Sequence, residues 1–261
     1  MATIAGLLVD IDGVLTVSWE VLPGIPEAFA RLRSRGIPMR LATNTTTRAR
    51  SEIARLLGEL GIDVDAGEIL TAPAATAVFL RREYPKARCL LINEGDLSDD
   101  LAGIDLVDEG PIDVVLVGGA GPTFAYEVVN RAFRELGAGA ALVVMHRNLS
   151  WRTSAGMQLD SGAFITGLEA ATGVEATVVG KPSPAFFASA LEALGLPADQ
   201  VAMVGDDVVS DVLAAQAAGM TGILVRTGKV HSESLHDMSD QPDVVLESFR
   251  EVPYWLEGVG A

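Results

Sequence analysis

Short apolar runs alternate with amphipathic segments along most of the chain. The first run, Gly6 to Val9, leads directly into Asp10 and Asp12. Apolar runs bounded by glycine or proline are typical of strands buried on both faces, and amphipathic segments are typical of the helices that cover them. The alternation therefore predicts an α/β fold with parallel strands joined by right-handed crossovers.

The same pattern predicts the individual elements. Strands are expected at 6–12, 37–42, 88–92, 114–117, 141–145, 176–179, 201–204, 223–225 and 244–246. Helices are expected at 27–35, 48–60, 74–84, 124–136, 164–171, 185–194, 211–218 and 249–256. Proline near a helix start and glycine just past a helix end support several of these boundaries.

Polar residues follow four of the predicted strands directly. They are Asp10 and Asp12, Thr43 and Asn44, Lys181, and Asp206 and Asp207 with Asp211 beyond. Ligands of open α/β sheets bind outside the carboxyl ends of the strands, so these residues can converge although they are far apart in sequence. Each group alone also has an ordinary explanation as a turn, a helix cap or a solvent-exposed lysine.

Charge indicates what such a site contains. Two carboxylates about 4 Å apart repel by about 4 kcal/mol at an effective dielectric constant of about 20. One lysine does not offset three or four carboxylates, whereas a divalent cation does, and oxygen ligands suit Mg²⁺. Thr43 and Asn44 offer a hydroxyl and backbone N–H groups to a phosphate oxygen, and Lys181 offers a positive charge.

These motifs resemble those of the haloacid dehalogenase superfamily of phosphohydrolases with a large type-IIA cap. The four matching stretches are Asp10 to Leu15, Ala42 to Asn44, Val179 to Pro182, and Gly205 to Asp207 with Asp211. The resemblance covers essentially the whole chain. It implies a doubly wound, Rossmann-like core at 1–73 and 178–261, with an inserted α/β cap at 74–177 that governs specificity.

The resemblance also implies a role for each site residue. Asp10 is the expected nucleophile, which forms an aspartyl-phosphate, and Asp12 is the expected general acid and base. Thr43, the Asn44 backbone and Lys181 are expected to hold the phosphoryl oxygens. The family's Mg²⁺ is expected on the Asp10 carboxylate, the Asp12 main-chain carbonyl and the Asp206 carboxylate. Asp207 and Asp211 are expected to orient Lys181 or the waters around the cation.

Composition limits the possible partners and the expected location of the protein. The chain has 261 residues, of which 49% are hydrophobic, and a formal net charge of -16. That charge disfavours nucleic acid as a partner, because nucleic-acid affinity depends on Lys and Arg. One cysteine, Cys89, allows no internal disulfide, and no signal peptide or membrane span is indicated. We expect a cytoplasmic enzyme acting on a small phosphorylated substrate, and family likeness favours a homodimer formed through the cap.

Other functions stay open at this point. A phosphomutase of the same superfamily shares the carboxylate pair, and a phospho-dependent signalling or binding module with little turnover also uses Asp, Thr and Lys. The histidines, His146, His231 and His236, lack a regular metal-ligand spacing and are expected to be surface or structural residues. The loop at 160–164 is a candidate contact for the leaving group, or else the capped start of a helix.

Overall fold

The computed structural model describes residues 3–153, 156–228 and 241–259. The chain folds into two compact units. The first unit comprises Met1–Thr43, Ser51–Leu70 and Lys181–Ala261, and the second comprises Asn44–Arg50 and Thr71–Gly180.

Strands and helices alternate along the chain. The strands are β1 (Gly6–Asp10), β2 (Thr16–Val17), β3 (Glu20–Val21), β4 (Met39–Thr43), β5 (Ile69–Thr71), β6 (Arg88–Ile92), β7 (Asp105–Leu106), β8 (Val114–Val117), β9 (Ala141–Val144), β10 (Ser150–Thr153), β11 (Gly156–Leu159), β12 (Thr177–Val178), β13 (Val201–Gly205), β14 (Thr221–Val225) and β15 (Val244–Leu246). The α-helices are α1 (Ile25–Ser34), α2 (Arg50–Glu59), α3 (Ala72–Glu83), α4 (Tyr126–Gly137), α5 (Ser161–Thr172), α6 (Pro184–Leu194), α7 (Ala214–Ala217) and α8 (Val252–Val259).

The first unit is built on a sheet with the strand order β15-β14-β13-β1-β4-β5. Strand β1 pairs in parallel with both β13 and β4, so it occupies the middle of the sheet. Leu7, Leu8 and Val9 are fully buried, as expected of a strand covered on both faces. Side chains from α1, α2 and α8 complete this core, among them Phe29, Leu57 and Leu256.

The second unit has its own parallel sheet, in the order β12-β9-β8-β6-β7. A separate core forms around it from buried aliphatic residues of β6, β8 and β9 and from α4 and α5. The rings of Phe124 and Phe164 lie 5.1 Å apart beside this core. Cys89 is buried in β6, and burial raises the pKa of its thiol to about 11, which disfavours the reactive thiolate.

The predicted α/β class with parallel sheets is confirmed. Most element boundaries fall within two or three residues of the predicted ones. Two predictions need correction. The helix expected at 211–218 is a π-helical turn at Val208–Leu213 followed by the short α7, and helix α5 starts at Ser161 rather than 164. The hairpins β2–β3 and β10–β11 and the short strands β5 and β7 were not predicted.

Among the described residues, no helix is both long and apolar enough to cross a membrane.

Candidate active site

The central interaction of the first unit is an ion-pair triad at the carboxyl ends of its strands. Lys181 Nζ lies 2.7 Å from Asp10 Oδ1 and 2.7 Å from Asp211 Oδ1. The same ammonium donates to the main-chain carbonyl of Ala42 at 3.2 Å. All three charged side chains are buried. Residues separated by most of the sequence therefore meet where β1 and β4 end, as the sheet topology predicts.

Burial and mutual repulsion raise the pKa values of the two aspartates in this triad. Burial raises the pKa of Asp10 from 3.8 to about 6; the Lys181 charge opposes this rise, while the charges of Asp206 and Asp12 add to it. Burial likewise raises the pKa of Asp211 to about 6, against the lowering effect of Lys181. Burial disfavours the charged form of Lys181, but its two carboxylate partners raise its pKa above the ordinary value.

The carboxylates fit a hard divalent cation. One oxygen from each of Asp10, Asp206 and Asp211 lies within 4.8 Å of the others, and all three residues are buried. Asp211 already uses both of its oxygens: Oδ1 faces Lys181, and Oδ2 accepts the Asp207 N–H at 3.2 Å. Asp10 and Asp206 are therefore the carboxylates best placed to coordinate an ion that prefers oxygen.

The phosphate-binding candidates lie where the chain passes between units. Thr43 is buried at the end of β4 in the first unit, and the next residue, Asn44, begins the second unit. Lys181 begins the last segment of the first unit, and Gly180 precedes it in the second unit. Within the second unit Asn44 and Gly180 pack closely, because a methyl group on Gly180 would lie 2.7 Å from Asn44 Oδ1.

Asp12 and Asp207 differ in environment from the triad. Asp12 is exposed, in an isolated bridge to Thr16, and its charge contributes to the raised pKa of Asp10. Asp207 caps the π-helical turn, since its side chain accepts the N–H groups of Val209 and Ser210. Asp211, one of the two residues expected to orient Lys181, contacts it through Oδ1 at 2.7 Å.

Two of the remaining polar residues, His146 and Asp160, have structural contacts in the second unit. His146 is buried, with Nδ1 accepting the Asn148 N–H at 3.3 Å, so it fits a structural role and not a surface one. Asp160 Oδ1 accepts the N–H groups of Ser161 and Ala120, which makes it the cap of α5. His231 and His236 lie outside the described residues.

Sequence reasoning assigned no role to the turn that follows β14. Thr227 Oγ1 donates a hydrogen bond to the carbonyl of Gly13, and Gly228 packs against the side chain of Asp206. The available signal was a threonine–glycine pair one residue beyond a buried strand.

Comparison with known proteins identifies the family. A family model described as haloacid dehalogenase-like hydrolase matches residues 7–107, and one described as HAD-hydrolase-like matches residues 178–252. Phospholysine phosphohistidine inorganic pyrophosphate phosphatase of Rattus norvegicus is 37% identical over 257 residues, covering 96% of this chain and 93% of that protein. The chain belongs to the haloacid dehalogenase-like hydrolases. The family resemblance drawn from the motifs is thereby confirmed.

Other relatives of known sequence or structure support the same family. Haloacid dehalogenase-like hydrolase domain-containing protein 2 of Homo sapiens is 36% identical over 243 residues, covering 93% of this chain and 92% of that protein. The p-nitrophenyl phosphatase of Archaeoglobus fulgidus superposes with a TM-score of 0.89 at 31% identity, over 97% of this chain and 100% of that one. NagD of E. coli superposes with a TM-score of 0.85 at 28% identity, over 96% and 98%. The predicted enzyme class, a phosphatase of this family, is confirmed.

Proposed function

We propose that this phosphatase hydrolyses a small phosphorylated metabolite with the help of Mg²⁺, through an aspartyl-phosphate formed on Asp10. The observation that carries the proposal is the buried triad, in which one oxygen of Asp10 is held by Lys181 at 2.7 Å. A carboxylate fixed in this way presents its second oxygen, Oδ2, in a restricted direction, which favours attack on a bound phosphoryl group.

The residues present fit the proposed cation. Asp10 and Asp206 would hold Mg²⁺ through their carboxylates, and Asp12 through its main-chain carbonyl. When bound, the ion offsets the negative charge of the carboxylates and of the phosphoryl group. The raised pKa of Asp10, caused mainly by burial and opposed by Lys181, supports the need for further positive charge there.

The side chains account for the proton and bond changes. Asp10 Oδ2 forms a bond to phosphorus while the bond from phosphorus to the leaving oxygen breaks, and Asp12 donates a proton to that oxygen. Asp12, now a carboxylate, takes a proton from a water that attacks phosphorus, releasing inorganic phosphate and free Asp10. The exposure of Asp12 suits proton exchange with substrate and water. Thr43, the Asn44 N–H and Lys181 would bind the phosphoryl oxygens.

The proposal also covers the role of the second unit and the class of substrate. The second unit, inserted between the second and third motifs, would select the substrate as the family's cap. The names of relatives mention phospholysine, phosphohistidine, pyrophosphate and nitrophenyl phosphate, so compounds with P–N, P–O–P and P–O–C bonds are all candidates. Cytoplasmic location, a homodimer and the lack of a nucleic-acid partner stay predictions.

Phosphate release from a panel of compounds tests this proposal. Sugar phosphates, nucleotides, phosphoramidates, pyrophosphate and an aryl phosphate are incubated with the full chain, with and without Mg²⁺. Asp10→Asn is the test variant, and Asp199→Asn, an exposed aspartate of the first unit, is the matched control. We expect Mg²⁺-dependent release that Asp10→Asn abolishes and Asp199→Asn keeps.

Other results would contradict the proposal. Equal release by Asp10→Asn would exclude Asp10 as the nucleophile. Turnover that requires a bisphosphate activator would indicate a phosphomutase. A lasting phosphoenzyme without phosphate release would indicate a signalling or binding module.

A further inference from the structure

The side chain of Asp206 lies between two glycine backbones of the first unit. A methyl group on Gly13 would lie 2.5 Å from Asp206 Cγ, and one on Gly228 would lie 2.6 Å from Asp206 Cβ and overlap the carboxylate. The sheet order explains this arrangement. Asp206 follows β13, whose neighbours are β1, which leads to Gly13, and β14, which leads to Gly228. Neither position has room for a side chain while the Asp206 carboxylate stays in place.

The two glycines are required for different reasons. Gly13 has a φ of 84°, a backbone conformation that favours glycine whatever the space around it. The φ of Gly228 lies outside the left-handed region, so the backbone there accepts other residues. At Gly228 it is therefore the contact with Asp206, and not backbone strain, that requires glycine.

A hydrogen bond connects the two glycine loops. Thr227 Oγ1 donates to the main-chain carbonyl of Gly13, and Gly13 N–H in turn donates to the Thr16 carbonyl at 2.7 Å. The turn after β14 is thus attached to the loop that carries Asp12. Asp206 is 3% exposed between these loops, so its carboxylate has little freedom to rotate toward solvent.

We infer that Thr227 and Gly228 are positioning residues for the cation site, because they confine the Asp206 carboxylate beside Asp10. The inference rests on the proposed function, which places a divalent cation on Asp10 and Asp206. Ligands that are held in place before the ion binds lose less freedom on binding, so a loosened Asp206 should weaken cation affinity. Neither residue needs to touch the cation for this effect.

Direct cation binding tests the inference without relying on turnover. Mn²⁺ is titrated into the metal-free full chain, without substrate, and free Mn²⁺ is measured by electron paramagnetic resonance. Thr227→Val removes the hydroxyl at nearly constant shape, Thr227→Ser keeps it, and Gly228→Ala displaces Asp206. Gly258→Ala is the matched control, since nothing lies within 4 Å of the added methyl group.

We expect Thr227→Val and Gly228→Ala to weaken Mn²⁺ binding by about tenfold or more, while Thr227→Ser and Gly258→Ala bind like the wild type. Thermal unfolding in a chelator should show one cooperative transition for Thr227→Val, which separates lost affinity from lost folding. Wild-type affinity in both Thr227→Val and Gly228→Ala, or equal loss in Thr227→Ser and Thr227→Val, would overturn the inference alone. A wild-type chain that binds no Mn²⁺ would overturn the proposed cation site itself.

Discussion

Lys181 lies between the buried carboxylates of Asp10 and Asp211, and Asp206 lies close enough to raise the pKa of Asp10 further. Such an arrangement serves a phosphoryl-transfer site better than it serves stability. Repulsion between buried carboxylates costs free energy in the metal-free protein, and a cation bound as proposed would relieve that cost. The titration of Asp10 can therefore be tested without a substrate.

The metal-free protein should lose stability as pH rises through the pKa of Asp10. Burial, opposed by Lys181, raises that pKa from 3.8 to about 6, so the folded state binds a proton that the unfolded chain has released. The contribution is present below the unfolded pKa and lost as pH rises past the folded one. It amounts to about 3 kcal/mol.

Asp10→Asn removes this titration. In urea unfolding with a chelator, the variant should gain stability relative to the wild type as pH rises from about 4 to about 7, and the difference should then stay constant. A difference between the two proteins that does not change with pH would contradict the electrostatic account.

At the scale of elements, the turn at Val208–Leu213 assigns different tasks to two nearby aspartates. Asp207 caps the turn through Val209 and Ser210, and Asp211 reaches Lys181. Replacing each aspartate by asparagine therefore tests whether the contact with Lys181, and not the cap, matters for kcat.

Asp211→Asn should lower kcat by about 10-fold to 100-fold, because it removes a carboxylate that holds Lys181 in place. Asp207→Asn should leave kcat near the wild-type value, because asparagine caps helical turns about as well as aspartate. Steady-state kinetics on the best substrate of the panel provides the comparison. Equal losses in the two variants would show that the Asp211 contact with Lys181 has no special role.

Asp207→Ala should destabilise the protein by about 1 kcal/mol, since two N–H groups lose their acceptor. Chemical denaturation of Asp207→Ala beside Asp207→Asn measures the cap. No difference in unfolding free energy between these variants would mean that solvent satisfies the turn equally well.

The elements also show what the sequence can predict. The apolar run at β1 and the polar residues at or beyond the ends of β1, β12 and β13 indicated a parallel sheet and the residues of the triad, because strand burial and strand ends leave a local signature. The hairpin β2–β3 left no such signature. Its turn places Ser18 and Trp19 at positive φ, where glycine or asparagine is the usual signal. The contact of Gly228 with Asp206 depends on tertiary packing that no local pattern encodes.

At the scale of the whole molecule, the two units have separate hydrophobic cores, and Cys89 provides a probe of the second. Cys89 is only 1% exposed, so reaction with a disulfide reagent requires the unit to open, and the burial that raises the pKa of the thiol to about 11 slows the reaction further. Labelling of the native protein should be at least about a thousandfold slower than labelling in denaturant. Absorbance stopped-flow measurements compare the two rates, and similar rates would contradict a stably packed second core.

In the proposed mechanism Asp10 carries the phosphoryl group during turnover, and this intermediate can be trapped. Asp12→Asn, which lacks the proposed base for the second step, is mixed with an activated aryl phosphate and Mg²⁺, quenched in acid, reduced with borohydride and digested. Mass spectrometry should find Asp10 converted to homoserine, the product of reducing an acyl phosphate. An unmodified Asp10 in a variant that still releases one equivalent of the aryl alcohol, or modification at another residue, would contradict the account.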